Sequence, residues 1–458
     1  FTLGQNSLLT PLNNTYVESI DVTNTTIQIR KQYSDISVED NSFTSPTAGK
    51  NLFFQPFDEE RYFISYENGV VEPLTADQVE ISTDKKTVTF VALSQNNVKA
   101  NLFATVLKSK VVNKQKKLNE ANVLIVDRST LTSSGIGSTT IGDGLTHHNA
   151  YGTRVQDEKI SLNVPDVAQL LGVFESNDTS EADLPSLTLS GFSGPSSTNA
   201  DLIVGEKLTG LISNTIVSVI EKSGTDGVGV VNLNENSFEI GETVRAEKSG
   251  ITAVVSAIAA GDRDITNYYK LNTGQKPTFY DYSFIERDKT FSAPEKQLKI
   301  VFKNFFVEPS DTGDFYNASS YPTGTRPLIP VDPSYRQLTT DLIDLRPRVV
   351  NFNKVTNSSS PFTHSSRQFT TTGDGSLNPL VSEENLVVNY NYYLARKDRL
   401  FIDKNGDFVY LQGVPSENPQ EPQAVGDAME VAKFVYAPYL SNVSQAQVIR
   451  TKHKRFTM

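Results

Sequence analysis

One pattern in the chain occurs twice. "LIVGEKLTGLISNTIVSV" at 202–219 aligns with "FEIGETVRAEKSGITAVV" at 238–255, an offset of 36 residues. Gly205-Glu206 falls on Gly241-Glu242, Leu208 on Val244, and Ser213 on Ser249. Each copy reads as strand, Gly-Glu turn, strand, Ser-led turn, strand. A unit this short cannot bury its apolar face alone, so the two copies are expected to pair into one small barrel or sandwich. The Gly-rich "KSGTDGVG" lies between them. The repeat defines a discrete module at about 200–260 and commits that part of the chain to β structure.

The rest of the sequence keeps the same idiom. "TTIQIRKQY" alternates Ile27 and Ile29 with polar neighbours, "RYFISY" gives Tyr62 and Ile64, and "KTVTFVAL" gives Val88, Phe90 and Ala92. "NLFATVL" is apolar on both faces, as a buried strand is, and turn formers at 67–69, 83–86 and 94–97 separate these runs. Period-2 patterns at this spacing predict antiparallel sandwich or barrel packing. The lysine-rich "KSKVVNKQKK" reads as a solvated edge strand or tail, where Lys discourages unwanted strand pairing. Pro165 opens a possible short helix with Val167, Leu170, Leu171 and Phe174 on one face; Gly172 makes a helix-to-strand break equally consistent. "KNGD" centres a hairpin on Asn405-Gly406.

Length sets the domain count. At 458 residues the chain exceeds one ordinary core. We expect a mainly β protein of several antiparallel sandwich or barrel modules joined by Gly/Ser-rich linkers, with few short helices. The divisions are an arm or linker at 1–20, a sandwich-like domain at 21–127 and a Gly/Ser-rich linker at 128–150. A β domain at 151–350 carries the repeat module as an insertion, and a C-terminal β module fills 351–458. The absence of an initiator Met and the abrupt "RTKHKRFTM" suggest a piece of something longer, continuing beyond Met458.

Several chemistries lose ground on composition. The chain has no Cys, so it forms no disulfide, thiolate metal site or cysteine nucleophile. A net charge of −11 disfavours nucleic acid as a partner. No apolar run approaches the ~20 residues of a membrane-spanning helix. Of four histidines, His147 and His148 lie near Asp143 in "DGLTHHNA", but adjacent histidines do not share a strand face; His364 and His453 stand apart. Asp403, Asn405 and Asp407 match the first spacings of a calcium loop and lack its closing Glu. No phosphate loop or nucleophile elbow is present, and no carboxylate pair stands out. We therefore assign no catalytic, cofactor-binding or metal-ligating residue, and expect neither a cofactor nor enzymatic activity.

The aromatic run "NYYKLNTGQKPTFYDYSFI" at 267–285 poses the remaining choice. Tyr268, Tyr269, Tyr280 and Tyr282 suit either a sugar-stacking platform or buried scaffold, and the lack of Trp favours scaffold. Together with "YGTRVQDEKISLNVPDVAQLLGVFES", "LKIVFKNFFVEPSDTGDFYNASSYP" and "NLFFQPFDEERYFISYENGVVEPLTADQV", this run resembles segments of large virion structural proteins of T4-like contractile-tailed bacteriophages, especially cyanophages. "YYLARKDRLFIDKNGDFVYLQGVPSENPQEP" is similar to a module of unknown function in phage tail and baseplate proteins. The resemblance touches most of 50–458 and brings no catalytic residues. It implies a tail, baseplate or fibre-attachment component, made in the host cytoplasm and housed in the virion. Its partners would be other tail proteins and copies of itself. The alternative is an adhesin that recognises host surface glycan.

Overall fold

The computed structural model describes residues 17–20, 25–128, 150–333, 336, 338–341, 343–354, 359–369, 390–392, 394–438 and 446–452. The chain is mainly β, with 45% strand against 5% helix, and among the described residues the helical pieces are single 3-10 turns. Several antiparallel sheets and one closed six-stranded barrel make up the architecture.

The first sheet places Thr26–Val38 beside Val98–Ser109, which then pairs with Tyr62–Tyr66. A smaller sheet of Phe43–Thr44, Val88–Phe90 and Val79–Ile81 closes over it. The alternation seen in the sequence points inward as expected: Ile27, Ile29, Tyr62, Ile64, Val88 and Phe90 are all buried in one core. Val98–Ser109 is apolar on both faces because it is covered on both: Leu102, Ala104 and Val106 enter the core, while Phe103 stacks on Phe63 with centroids 4.5 Å apart. Ala92 is the exception to the alternation. The strand stops at Phe90, and Ala92 takes a left-handed turn conformation (φ 53°).

Lys116–Val126 does not stay with this domain, as a boundary at 127 implied. It pairs with Leu298–Val307, which in turn pairs with Val167–Glu175. The chain on either side of the repeat module is thereby joined in one sheet. Val167–Glu175 is a strand and the helical reading is wrong. Its apolar run satisfies helical spacing only because both strand faces are buried, and two register shifts let neighbouring residues point the same way. Gly172 is needed because a Cβ there would meet the Phe174 ring at 2.5 Å.

The repeat forms the barrel, in the order Ser186–Ser190, Gly227–Asn232, Ile216–Ser223, Lys207–Gly210, Thr243–Ala246, Thr252–Ala259. Each copy supplies two strands; its leading apolar segment is a loop, and Ser186–Ser190 and Gly227–Asn232 complete the closure. The repeated Gly-Glu and Ser explain each other. Glu206 accepts N–H bonds from Ile203 (2.6 Å) and from Ser249 (2.9 Å), and the Ser249 hydroxyl at 3.0 Å. Glu242 accepts from Glu239 N–H (2.7 Å), Ser213 N–H (3.1 Å) and the Ser213 hydroxyl (2.9 Å). The glutamate of each copy thus ties its own turn to the serine turn of the other. Gly205 and Gly241 share a left-handed φ, 90° and 92°, which aims both carboxylates inward.

The described part of the N-terminal arm, Val17–Ile20, pairs with Tyr390–Tyr392. The C-terminal sheet runs Phe408–Leu411, Arg396–Asp403, Ala428–Tyr436, Gln447–Arg450, with its hairpin turning at Asn405-Gly406. Most of the 128–150 linker, with His147 and His148, lies outside the described residues, as does His453.

Burial pushes the Glu242 carboxyl up, but the N–H groups of Glu239, Ser213 and Ile212 and the Ser213 hydroxyl more than reverse this, leaving it below its ordinary value. A carboxylate depressed on folding stabilises fully above its unfolded pKa of about 4.3 and loses that contribution as pH falls through the folded value. Hydrogen-exchange protection of the barrel should therefore weaken on acidification, and Glu242→Gln should flatten that dependence. Glu242→Ala should cost about 1–3 kcal/mol by stranding buried donors, read from the same barrel peptides.

Candidate functional site

The densest chemistry in the chain is an enclosed lysine. Lys116 opens its strand at the seam where the first domain passes into the central sheet. Lys114 and Lys116 alternate with Gln115 and Lys117, so period-2 geometry puts both on one face, and both are buried. That overturns the solvated reading of this lysine run for two of its members. Lys117 keeps it, paired at the surface with Glu308.

Three partners satisfy the three donors of the Lys116 ammonium. Asp166 Oδ2 lies at 2.7 Å, Tyr321 Oη at 2.8 Å and Tyr280 Oη at 3.3 Å. The rings of Tyr280, Tyr316 and Tyr321 stand 4.4, 4.5 and 4.5 Å from Nζ, so their π faces also line the cation. Asp166 reaches the site from the sharp turn between Lys159–Pro165 and Val167–Glu175, where it holds a left-handed φ of 62° that Asp tolerates. Its other oxygen accepts from Gln275 Nε2 at 3.2 Å.

A second layer encloses the first. Tyr280 donates to Asp344, and Arg346 grips Asp344 with two bonds of 3.0 and 2.7 Å. Arg346 also pairs with Asp332 at 3.2 Å and lies over the Tyr280 ring at 4.4 Å, the same ring that Lys116 contacts. Two cations therefore contact the Tyr280 ring. Burial and the nearby Asp344 raise its hydroxyl well above the ordinary tyrosine value, so it stays a neutral donor. Burial lowers Lys116 to about 8, opposed by the Asp166 charge and hydrogen bond. Burial likewise pushes Asp344 up, and Arg346 outweighs it, so Asp344 sits below its usual value.

The aromatic run is scaffold. Tyr269, Tyr280 and Tyr282 are buried, with Tyr282 Oη accepted by the carbonyls of Val350 (2.9 Å) and Ser366 (3.0 Å). Tyr268 stacks on Phe291 at 4.0 Å. Gly274 turns the run with φ 71°, where a Cβ would strike the Asp281 carbonyl. The "KSGTDGVG" glycines make a hairpin between two barrel strands. Asp403 spends its carboxylate on the N–H groups of Asn405 (2.8 Å) and Asp407 (2.9 Å), a turn rather than an ion loop. His364 lies in a 3-10 turn. Among the described residues no group of three or more His, Asp or Glu side chains is gathered to hold a metal, and no helix is long and apolar enough to cross a membrane.

Comparison with known proteins adds one finding: residues 352–458 match a domain of unknown function, DUF4815. No curated protein and no solved structure matches the chain.

Removing one member of a buried ion pair strands the other. Lys116→Met should cost about 3–5 kcal/mol in denaturant unfolding. Tyr280→Phe, which deletes one hydroxyl and keeps the ring, should cost about 1–3 kcal/mol.

Proposed function

We propose that this chain is a structural component of a bacteriophage contractile tail, of the baseplate or fibre-attachment region, acting through protein–protein assembly and not through turnover of a small molecule. The phage setting rests on the sequence resemblance. The assembly role is supported by how the barrel is mounted.

The barrel has two equivalent ends, one for each repeat copy. At the first, Gly205 lies against Glu120 of the central sheet, where a Cβ would come within 2.6 Å of the Glu120 Cβ, and Lys248 pairs with Glu120 at 2.5 Å. At the second, a Cβ on the matching Gly241 would meet nothing within 4 Å. There the positions of Glu247 and Lys248 are taken by Leu211 and Ile212, and beside them stands Ile240. These three are 58%, 64% and 71% exposed. One end is docked through charge, and its counterpart presents bare aliphatic side chains. Exposed apolar patches of this kind mark contact surfaces.

The C-terminal sheet repeats the theme. Phe408, Ile402 and Met429 are register partners across three strands, forming one row, and Phe408 and Met429 are more than half exposed. The glycan-binding alternative keeps Phe408 and Tyr410 on this sheet, but the tyrosines of the aromatic run that suited it are enclosed or already stacked.

Leu211→Asp combined with Ile240→Asp should leave melting within about 0.5 kcal/mol of wild type, as surface changes do. The pair should abolish incorporation into particles when the variant chain complements a phage lacking its own copy. Normal incorporation, with loss of binding to host polysaccharide on Phe408→Ala, would replace this reading with the adhesin.

A further inference from the structure

We propose that Lys116 and Asp166 join in an intramolecular amide bond, a covalent staple formed by the protein on itself. The geometry points to it in four ways. A primary amine and a carboxyl group meet at 2.7 Å, and both side chains are almost wholly excluded from water, at 0% and 2% exposure. The carboxyl oxygen that would become the amide carbonyl already faces a neutral donor, Gln275 Nε2. The amine is touched by two tyrosine hydroxyls, and one of these, Tyr280, leads on to Asp344. Three tyrosine rings stand within 4.5 Å of the nitrogen.

The reaction needs no outside reagent. An ammonium and a carboxylate together contain the atoms of one amide and one water. A first proton passes from Lys116 Nζ to Asp166 Oδ2, leaving a neutral amine beside a neutral acid. The Nζ lone pair then forms the N–C bond to Asp166 Cγ, and the electrons of the Cγ–Oδ1 double bond move onto Oδ1, opposite Gln275. A second Nζ proton passes directly to Oδ2, its hydrogen-bond partner. The Cγ–Oδ2 bond breaks, Oδ2 leaves as water, and the carbonyl re-forms. One proton stays on the amide nitrogen. Nothing is oxidised or reduced.

The driving force is the ion pair itself. Two buried charges carry a desolvation penalty that a neutral amide removes. Burial that lowers the lysine makes the free amine accessible near neutral pH. Water expelled from the site has little room to return and reverse the step. The bond would close a ring from 116 to 166, tying the first strand of the central sheet to the turn that enters Val167–Glu175, on either side of Leu298–Val307. In a chain without cysteine, it would do what a disulfide does elsewhere.

Mass spectrometry of the full chain under denaturing conditions decides the matter. The expected mass is one water below that of the sequence, and proteolysis should release a branched peptide joining Lys116 to Asp166. Lys116→Arg should restore the full sequence mass while keeping a cation in the site. Asp166→Asn should still give the branched peptide, now by loss of ammonia. A wild-type mass equal to that of the sequence, with Lys116 and Asp166 recovered in separate linear peptides, overturns the proposal whatever the variants do. A water loss mapped to any other pair of residues overturns it as well.

Discussion

A buried cation has to be surrounded by its own solvent, and the centre of this protein is arranged around that requirement. Lys116 has three hydrogen-bonding hydrogens and meets three oxygens. Those oxygens come from three separated parts of the chain: the turn at Asp166, the aromatic run at Tyr280, and Tyr321 beyond the last strand of the central sheet. An apolar contact tolerates sliding by a fraction of an ångström. An enclosed ammonium does not, because losing one acceptor leaves a charge in a medium with nothing to screen it. The lysine therefore fixes how the central sheet, the aromatic run and the irregular segment around Tyr321 and Asp344 sit against each other. Arg346 does the same for Asp344 and Asp332, one shell further out.

The barrel solves a smaller version of this problem by symmetry. Each glutamate is enclosed by backbone N–H groups of both copies, so neither turn is complete without the other. What breaks the symmetry is the mounting. A core of Leu171, Phe174, Ile220, Val231 and Val301 bonds the barrel wall to the central sheet, and Lys299 reaches out to Glu181 and Glu221 beside it. Only one of the two barrel ends can face Glu120. The other is left with the same backbone and an apolar surface.

What the sequence disclosed follows from which signals are local. Strand alternation in 26–33, 62–66 and 88–90 survived into the fold because every second residue there meets the same core. The repeat was legible because Gly205-Glu206 and Gly241-Glu242 are contiguous pairs with a fixed conformational demand. The partnership of Glu206 with Ser249 was not, since it links residues 43 apart and nothing in either neighbourhood announces the other. Val167–Glu175 misled because a strand buried on both faces has no period of its own. The lysine site was the least visible. Lys114 and Lys116 alternate as a strand face should, but lysine alternation ordinarily marks the wet side, and the acceptors that reverse it lie 50, 164 and 205 residues away.

The distribution of polarity is inverted at two levels, and the inversions share an explanation. Inside, Lys114, Lys116, Arg154, Arg346 and Arg348 occupy positions that aliphatic residues fill in most cores. Outside, Leu211, Ile212, Ile240, Phe408 and Met429 occupy positions that charged residues usually fill. For an isolated molecule each choice is a disadvantage: ion pairs replace well-packed apolar contacts, and bare hydrophobes invite association. In a part built to be joined to other parts, each has a use. Satisfied ion pairs hold the modules in one relative geometry, because a displaced charge is penalised far more steeply than a displaced methyl group. On the proposed assembly reading, a rigid frame would then present its apolar patches at fixed spacing, so that association would occur in one register. Internal precision and external adhesiveness are complementary, since a sticky surface on a loose frame would bind many ways and assemble none.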